Sequence, residues 1–346
     1  MNKVVNGNDE KNNKVSVRPF LLKPAEKDYL WGGRRLKDDF CKDTDTTPLA
    51  ETWECSTHPD GVSIVASGEY SGRLLSDVLK EHPEYLGTHP RENGYDDLPI
   101  LVKFIDADSD LSVQVHPTDE YAMEYENGQR GKTEMWYVID AAPNTSLIYG
   151  FRHSMTADKL KKAVSEGTLT RYLQKVRVHK DDVFFIEAGT VHAIGSGAVI
   201  AEVQENSNLT YRLYDYDRID KNGNKRELHI DKALDVMNMS GASEPKQPMR
   251  VLKFRPGYAT ELLGRCKYFQ MERMMLNTER IKQMAGIKTE ANSFAVLLCV
   301  DGCGIIKAGA DGKEMLPFFK GDCIFIPADS DELLLHGNST LLKISC

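Results

Sequence analysis

Two segments of this chain repeat one another, and this repeat constrains the fold more than any other feature of the sequence. Lys320–Gly337 (KGDCIFIPADSDELLLHG) aligns without gaps on Lys180–Gly197 (KDDVFFIEAGTVHAIGSG). Each copy holds an apolar, strand-like run followed by turn residues, as in an all-β protein. The repeat therefore predicts two stacked β-barrels. His192 of the first copy is replaced by Glu332 in the second, so we expect the first barrel to carry the chemistry and the second to be architectural.

Short β-like runs separated by Gly, Asn and Asp turns dominate the chain, which is the pattern of a barrel or jelly roll. The predicted strands are Val62–Ala66, Ile100–Ile105, Leu111–Val115, Met135–Ile139, Val183–Ile186, Val199–Val203 and Thr210–Tyr214. Apolar residues at helical spacing predict a few short helices, at Leu74–Leu86, Asp119–Tyr125, Ala157–Glu166, Leu169–Gln174 and Asp231–Met237. The predicted fold class is all-β, with two jelly-roll-type barrels and few helices.

The length of 346 residues suggests two domains rather than one. Residues 1–16 are rich in Asn and Lys and have no apolar stretch, so we expect a disordered lead and no signal peptide. The best linker candidate is Met239–Pro248 (MSGASEPKQP). We therefore predict a catalytic, metal-binding domain over residues 17–240 and a degenerate, metal-free barrel over residues 249–346.

Charge, the length of apolar runs and cysteine content argue against several classes of function. The net charge is −8 and no Lys/Arg run occurs that would suit a nucleic-acid backbone. No apolar run approaches the ~20 residues of a membrane span. The seven cysteines are odd in number and lack CxxC spacing, which favours free thiols in a reducing cytoplasm.

Residues that could hold a metal ion are concentrated in two places. Gln114 and His116 lie two residues apart on a predicted strand, so their side chains leave the same face. The next strand begins at Glu134 and returns a carboxylate towards the imidazole. His192 follows a strand and a tight turn, and is the fourth candidate. These nitrogen and oxygen ligands suit a Zn²⁺-like ion, although Mn²⁺, Fe²⁺ or Co²⁺ could occupy the same shell.

The segments around these residues resemble a known family. VQVHP, GKTEMWYV and AGTVHAIG are similar to the metal site of the type I mannose-6-phosphate isomerases, a branch of the cupins. LKPAEKDYLWGGRRL and ETWECSTHPDGVSIVASGEYSGRLLSDVL resemble the opening of that family, and EVQENSNLTYRLYD resembles one of its active-site strands. The similarity runs from about Arg18 to the C-terminus with order and spacing preserved. The spacing leaves no room for the extra helical domain of longer members, so the chain resembles the short bacterial form.

This resemblance implies an aldose–ketose isomerase that interconverts D-mannose 6-phosphate and D-fructose 6-phosphate with one metal ion per chain, Zn²⁺ being the first choice. The partner expected is a small sugar phosphate. Two rival interpretations stay open: a metal-dependent cupin of another reaction, such as a dioxygenase, and a non-catalytic sugar-binding cupin. A dioxygenase would ordinarily show an HxH pair, where this chain has Gln114–Val115–His116. The proton-shuttling base, the oligomeric state and the preference among aldoses stay open too.

Four further residues are candidates for substrate binding and catalysis. Lys103, within the apolar run ILVKFI, is costly to bury unless it is paired or functional, and the alternative is a lysine that reaches the rim. Lys132 precedes Glu134 by two residues, where the family places a cation beside the metal; the alternative is a solvated turn lysine. We expect one of these two lysines to bind the substrate phosphate.

Arg212 falls where the family has its active-site arginine, and we expect it to bind substrate and to stabilise negative charge in the reaction. Its alternative role is an ion pair with Asp215 or Asp217. Glu202 matches a family acid near the sugar and is the third catalytic candidate beside Arg212 and Lys132, and its alternative role is a salt bridge between strands.

Overall fold

The computed structural model describes residues 18–219, 223–242, 245, 247–281, 283–309 and 314–346. The predicted disordered lead at residues 1–16 lies outside this part of the chain. Strands dominate the described residues and helices are few and short, so the all-β prediction is confirmed.

The strands are, in chain order, Phe20–Lys23 (β1), Ala25–Lys27 (β2), Glu51–Cys55 (β3), Ile64–Val65 (β4), Ile100–Ala107 (β5), Val113–Val115 (β6), Glu134–Ala141 (β7), Ser146–Phe151 (β8), Leu173–Arg177 (β9), Val183–Ile186 (β10), His192–Ala193 (β11), Ala198–Glu205 (β12), Tyr211–Tyr214 (β13), Lys253–Arg255 (β14), Tyr258–Arg265 (β15), Gln270–Asn277 (β16), Ala285–Ile287 (β17), Ala295–Ala308 (β18), Glu314–Phe319 (β19), Cys323–Ile326 (β20) and Leu333–Ser345 (β21).

The α-helices are Arg35–Asp38 (α1), Leu75–Glu81 (α2), Thr88–Glu92 (α3), Asp119–Tyr125 (α4), Ala157–Ser165 (α5) and Ile230–Val236 (α6), with 3₁₀ turns at Pro83–Leu86 and Leu169–Arg171. The helix predicted over Leu169–Gln174 is therefore wrong in its second half, where β9 begins and pairs with β8. Among the described helices, none has the length and apolar character that crossing a membrane requires.

A six-stranded antiparallel sheet, in the order β10-β7-β12-β5-β3-β2, forms the centre of the molecule. Every residue of β5 and β12 is buried, so both faces of this sheet are covered. The alternation of side chains along each strand divides the residues between the two faces. Ile105, Trp136 and Ile200 share a core with the five-stranded sheet β13-β6-β11-β8-β9. Lys103, Glu134 and Glu202 share the parity of these residues, and so they point to the same side.

The other face of the central sheet packs on a ten-stranded sheet built mainly from the C-terminal part of the chain. The first strand, β1, pairs with β20, and β4 pairs with β1, so two N-terminal strands extend this sheet. The turn before β20 lies against the N-terminal part as well. Gly321 has a φ of 99°, and a Cβ at this position would come within 2.4 Å of the carbonyl oxygen of Phe40. The domain division near residues 240–248 stays a prediction.

The two predicted barrels are open sandwiches in the described residues, because none of the three hydrogen-bonded sheets closes on itself. The five-stranded sheet lies between the central sheet and a layer that includes α5 and α6. Val113 and Val115 of β6 belong to the outer core, which contains Ala233 of α6. Gln114, between them, points into the space between the two sheets, and the candidate site lies there.

Candidate active site

His116, Glu134 and His192 form a buried cluster between the central sheet and the five-stranded sheet. Their ligand atoms all lie within 4.8 Å of one another. Nε2 of His116 is 3.2 Å from Oε1 of Glu134, and Nε2 of His192 is 3.7 Å from Oε2 of Glu134. Within the described parts of the chain, no other group of three such residues is close enough to hold an ion.

Local backbone structure explains how these three side chains meet. His116 directly follows β6, Glu134 opens β7 and His192 opens β11. The turn before β11 is tied to the end of β6, because the backbone N–H of Gly189 donates to the carbonyl oxygen of His116 over 2.9 Å. His192 pairs with Gln114 across β11 and β6. The side-chain amide nitrogen of Gln114 is 3.4 Å from Nε2 of His192, so the fourth predicted ligand also borders the cluster.

The protonation states of the cluster fit a divalent cation. Burial, and then the nearby Lys132, lower the pKa of His116 to about 3, and burial lowers the pKa of His192, so both imidazoles are neutral at pH 7. Nδ1 of His192 donates to the carbonyl oxygen of Thr190 over 2.8 Å, which leaves Nε2 with a free lone pair. Burial alone would raise the pKa of Glu134, but Lys132 and His116 bring it well below its ordinary value. Two neutral imidazoles and one carboxylate are a donor set that Zn²⁺ and similar ions accept.

Lys132 contacts the metal-capable cluster directly. Its Nζ lies 2.7 Å from Oε1 of Glu134 and 3.3 Å from Nε2 of His116, and its side chain is 5% exposed. Its backbone N–H donates to the carbonyl oxygen of Pro117 over 3.0 Å, which holds the segment before β7 against the residue after His116. The alternative of a solvated turn lysine does not describe this residue.

Lys103 is the centre of a second buried charge group, beside the first. Its Nζ lies 3.4 Å from Oε2 of Glu51 and 3.3 Å from Oε1 of Glu202, and 5.1 Å from the ring centre of Trp53. The residue is 3% exposed, so it does not reach the rim. Burial alone would lower the pKa of Lys103, but Glu51 and Glu202 raise it above its ordinary value. The ammonium group is charged and is held by two carboxylates.

Glu202 forms the salt bridge between strands that the sequence offered as its alternative role. It lies directly opposite Lys103 on β5 and forms an ion pair with it, and its Oε2 accepts a hydrogen bond of 2.7 Å from Nε1 of Trp136. Trp136 also donates to Oε2 of Glu134 over 3.1 Å, so this indole links the carboxylates. Burial and the charge of Glu134 raise the pKa of Glu202 to about 7.

Arg212 lies on β13 directly opposite Gln114. Its Nη1 donates to the carbonyl oxygen of Glu227 over 2.9 Å, and its buried Nε has no hydrogen-bond partner in the described chain. Neither of the two predicted ion pairs is present. Asp215 is paired with Arg218 and Arg226, and Asp217 with Lys225. Arg212 is thus a partly buried guanidinium with no carboxylate partner among the described residues.

A cavity of about 250 Å³ connects these groups. Six of the predicted residues line it, namely Lys103, Gln114, Lys132, Glu134, Glu202 and Arg212, and both histidines of the cluster lie beneath. Three clefts elsewhere are larger, at about 260, 440 and 510 Å³, but none of them is lined by the metal-capable cluster or the Lys103 group.

Among the lining residues that sequence reasoning missed, Glu51, Trp136 and Arg226 contact the charged groups described above or lie beside them. Trp136 could have been found, since it is two residues after Glu134 on the same strand and therefore shares its face. Glu51 begins a segment that resembles the family, but its partner Lys103 is known only once β3 and β5 are paired. Arg226 stands in an irregular segment before α6 and carries no local signal.

Comparison with known proteins agrees with this site. A model of the phosphomannose isomerase type I catalytic domain matches residues 20–140. The chain is 36% identical over 323 residues to mannose-6-phosphate isomerase ManA of Bacillus subtilis, which covers 93% of this chain and 97% of the relative. It is 34% identical over 312 residues to mannose-6-phosphate isomerase of Streptococcus mutans, covering 90% and 93%.

The fold gives the same result. The crystal structure of mannose 6-phosphate isomerase from Bacillus subtilis matches with a TM-score of 0.85 and 32% sequence identity, over 95% of this chain and 99% of that one. Sequence and fold thus agree over nearly the full length of the relatives. This chain belongs to the type I mannose-6-phosphate isomerase family.

Proposed function

We propose that this protein interconverts D-mannose 6-phosphate and D-fructose 6-phosphate as a metal-dependent aldose–ketose isomerase. The observation that carries the proposal is the buried cluster of His116, Glu134 and His192 at the base of a cavity in a chain of this family. The membership does not favour the two rival interpretations, a cupin dioxygenase and a non-catalytic sugar-binding cupin.

The metal proposed is one Zn²⁺ per chain, held by His116, Glu134 and His192 with Gln114 as the fourth ligand. Mixed nitrogen and oxygen donors at low coordination number support zinc, while Mn²⁺, Fe²⁺ and Co²⁺ use similar donors. When bound, the ion acts as a Lewis acid that polarises the oxygens at C1 and C2 of the sugar. Lys132 already contacts Glu134 and His116, two of the residues proposed to hold the ion.

The reaction moves one proton between C2 and C1 of the sugar and a second between the oxygens on these carbons, and it develops negative charge on those oxygens. Glu202 is the proposed proton shuttle, because its pKa of about 7 lets it accept and return a proton at neutral pH. Arg212 and Lys132 are the proposed stabilisers of the developing charge, since both are cationic groups that line the cavity. In this proposal, the residue that transfers the proton stands on a buried strand of the central sheet.

Substrate binding was expected to involve Lys103, Lys132 and Arg212. The contacts of Lys103 with Glu51 and Glu202, and of Lys132 with Glu134, support a second role for the lysines in holding these carboxylates. Arg212 has no such partner among the described residues and is the most available of the three for an anionic substrate.

A coupled assay tests the proposal. Fructose 6-phosphate formed from mannose 6-phosphate is measured with the protein as purified, after chelator treatment, and after addition of Zn²⁺, Mn²⁺, Fe²⁺ or Co²⁺ in turn. We expect turnover that is lost with the metal and returns with one of these ions. The exposed His179, changed to alanine, is a matched control for His192→Ala and should keep full activity. A metal-loaded wild-type protein without turnover would refute the proposed reaction.

A further inference from the structure

Three arginines surround one carboxylate at one end of the cavity. Nε of Arg226 donates to Oδ2 of Asp215 over 2.7 Å, and its Nη2 donates to Oδ1 of the same carboxylate. Arg218 donates to Oδ1 as well. Arg212 adds a third guanidinium, and Arg226 is the charged group that acts on it most strongly. Asp215 is 5% exposed and can balance only one of the three positive charges.

The buried end of the cavity has the reverse balance. Two ammonium groups, Lys103 and Lys132, stand among three carboxylates, Glu51, Glu134 and Glu202. All five side chains are buried, whereas the side chain of Arg226 is 26% exposed. The cavity is therefore anionic at its buried end, where a divalent cation fits, and cationic at the end that meets solvent.

The position of Arg226 suits it for an anion. Asp215 takes up its Nε and Nη2, which fixes the guanidinium plane, and none of the carboxylates in the described chain is paired with its Nη1. The residue lines the cavity together with the neutral polar side chains of Asn208 and Thr210. An oriented guanidinium group beside hydroxyl and amide groups is well suited to bind a phosphoryl group.

We infer that Arg226 is the residue that binds the phosphoryl group of the substrate, with the carbonyl end of the sugar turned towards Glu134 and Glu202. The charge balance favours this orientation, because the guanidinium groups at the exposed end outnumber their one carboxylate and attract a dianion, while the buried end is the place for the metal ion. This inference rests on the proposed function for the identity of the substrate. It moves phosphate recognition away from Lys103 and Lys132, whose charges are already matched.

Arg218 provides a matched control. It shares Asp215 with Arg226, and its Nη1 donates to the carbonyl oxygen of Asp110, but it does not line the cavity. Arg218→Met and Arg226→Met each remove one guanidinium from the same carboxylate. If loss of a guanidinium acts only by disturbing Asp215, both variants should lose substrate affinity to the same extent.

The experiment compares metal-loaded wild type, R226M and R218M by titration calorimetry with mannose 6-phosphate, and by inhibition of turnover with inorganic phosphate. The dissociation constant of mannose 6-phosphate and the inhibition constant of phosphate should each rise by at least about tenfold in R226M, because this variant lacks the guanidinium that binds the phosphoryl group. In R218M both constants should rise by less than about threefold. KM should rise in R226M with a much smaller change in kcat, and R226K should recover part of the loss. Neutral D-mannose should bind R226M and wild type equally weakly.

Equal losses in R226M and R218M, or an equal loss for D-mannose and its phosphate, would overturn the inference. If R226M folds poorly, R226Q carries the same comparison, since it keeps a polar side chain but has no charge. Failure of the proposed reaction gives a different result: wild type would bind mannose 6-phosphate and inorganic phosphate through Arg226 but would not form fructose 6-phosphate.

Discussion

Replacement of Lys103 by methionine removes a buried ammonium group while the side chain still fills a similar volume. Lys103 is 3% exposed and contacts Glu51 and Glu202 at 3.4 and 3.3 Å. In Lys103→Met these carboxylates keep only their indole donors, Nε1 of Trp53 and Nε1 of Trp136, each at 2.7 Å. The two carboxylates then lose the one cation that contacts both of them.

The expected cost follows from that loss. Removal of one partner of a buried ion pair destabilises a protein by about 3–5 kcal/mol, because the remaining charge stays desolvated. For a chain of 346 residues the entropy of unfolding at the midpoint is about 0.7 kcal/mol per kelvin, so the melting temperature should fall by about 4–7 °C. Scanning calorimetry of the metal-loaded proteins measures this shift.

A triple variant, E51Q/K103M/E202Q, separates charge from packing. Each glutamine oxygen can still accept the indole hydrogen bond, and no charge is left in the group. Replacement of a whole buried ion group is often neutral, so we expect the melting temperature to return most of the way to that of wild type. A K103M protein that melts within about 1 °C of wild type, but binds mannose 6-phosphate far more weakly, would refute this account. It would show that Lys103 is a free cation for the phosphate.

The loss of stability in K103M should also depend on pH, and the titration of Glu202 sets the direction of this dependence. The folded-state pKa of Glu202 is about 7 with Lys103 present, and removal of the ammonium group raises it further. The unfolded value is about 4.3. Between these values the folded state holds a proton that the unfolded state releases, so the free energy of unfolding falls as pH rises. The deficit of K103M against wild type should be larger at pH 8 than at pH 5, and a deficit that grows towards pH 5 would contradict the assignment.

Three further outcomes test the site and the C-terminal part of the chain. His192→Ala should lose metal and turnover together, because two protein ligands and an amide make a poor shell; a metal content still near one per chain would show that the ligands are wrongly assigned. Arg212→Ala should lower kcat and kcat/KM by similar factors with KM nearly unchanged, and a rise in KM alone would make Arg212 only a binding residue. Glu332→Ala should leave metal content and turnover unchanged, since Glu332 is exposed; loss of a second tightly held ion would contradict a metal-free C-terminal barrel.

Local sequence patterns were sufficient to predict how the cluster forms. The apolar run Val183–Ile186 coincides with β10, and the helix Asp119–Tyr125 coincides with α4. The parity of Gln114 and His116 around Val115 is a property of any strand. Short-range rules therefore fix where each candidate ligand points, and the order of strand, turn and histidine brings His192 beside β6.

Pairings between distant segments could not be predicted in this way. Lys103 was recognised as costly to bury, but one of its partners, Glu51, lies on a strand about fifty residues earlier in the chain. The register between β3 and β5 depends on the assembled sheet. The pairing of β1 with β20 likewise joins the two ends of the chain, and no local pattern in either strand specifies it.

Substitutions on the strands should have different consequences from substitutions in the loops. Lys103, Glu134 and Glu202 stand on strands of the central sheet that are covered on both faces, so their replacement should affect stability or metal content as well as turnover. Arg226 stands outside the strands, in a segment held by Asp215, and its loss empties no core. In the proposed function, metal and proton chemistry thus depend on buried strands, whereas phosphate recognition depends on a partly exposed loop. For this reason a loop substitution can change substrate affinity without loss of the metal, and a strand substitution at the buried end of the cavity cannot leave stability and chemistry both intact.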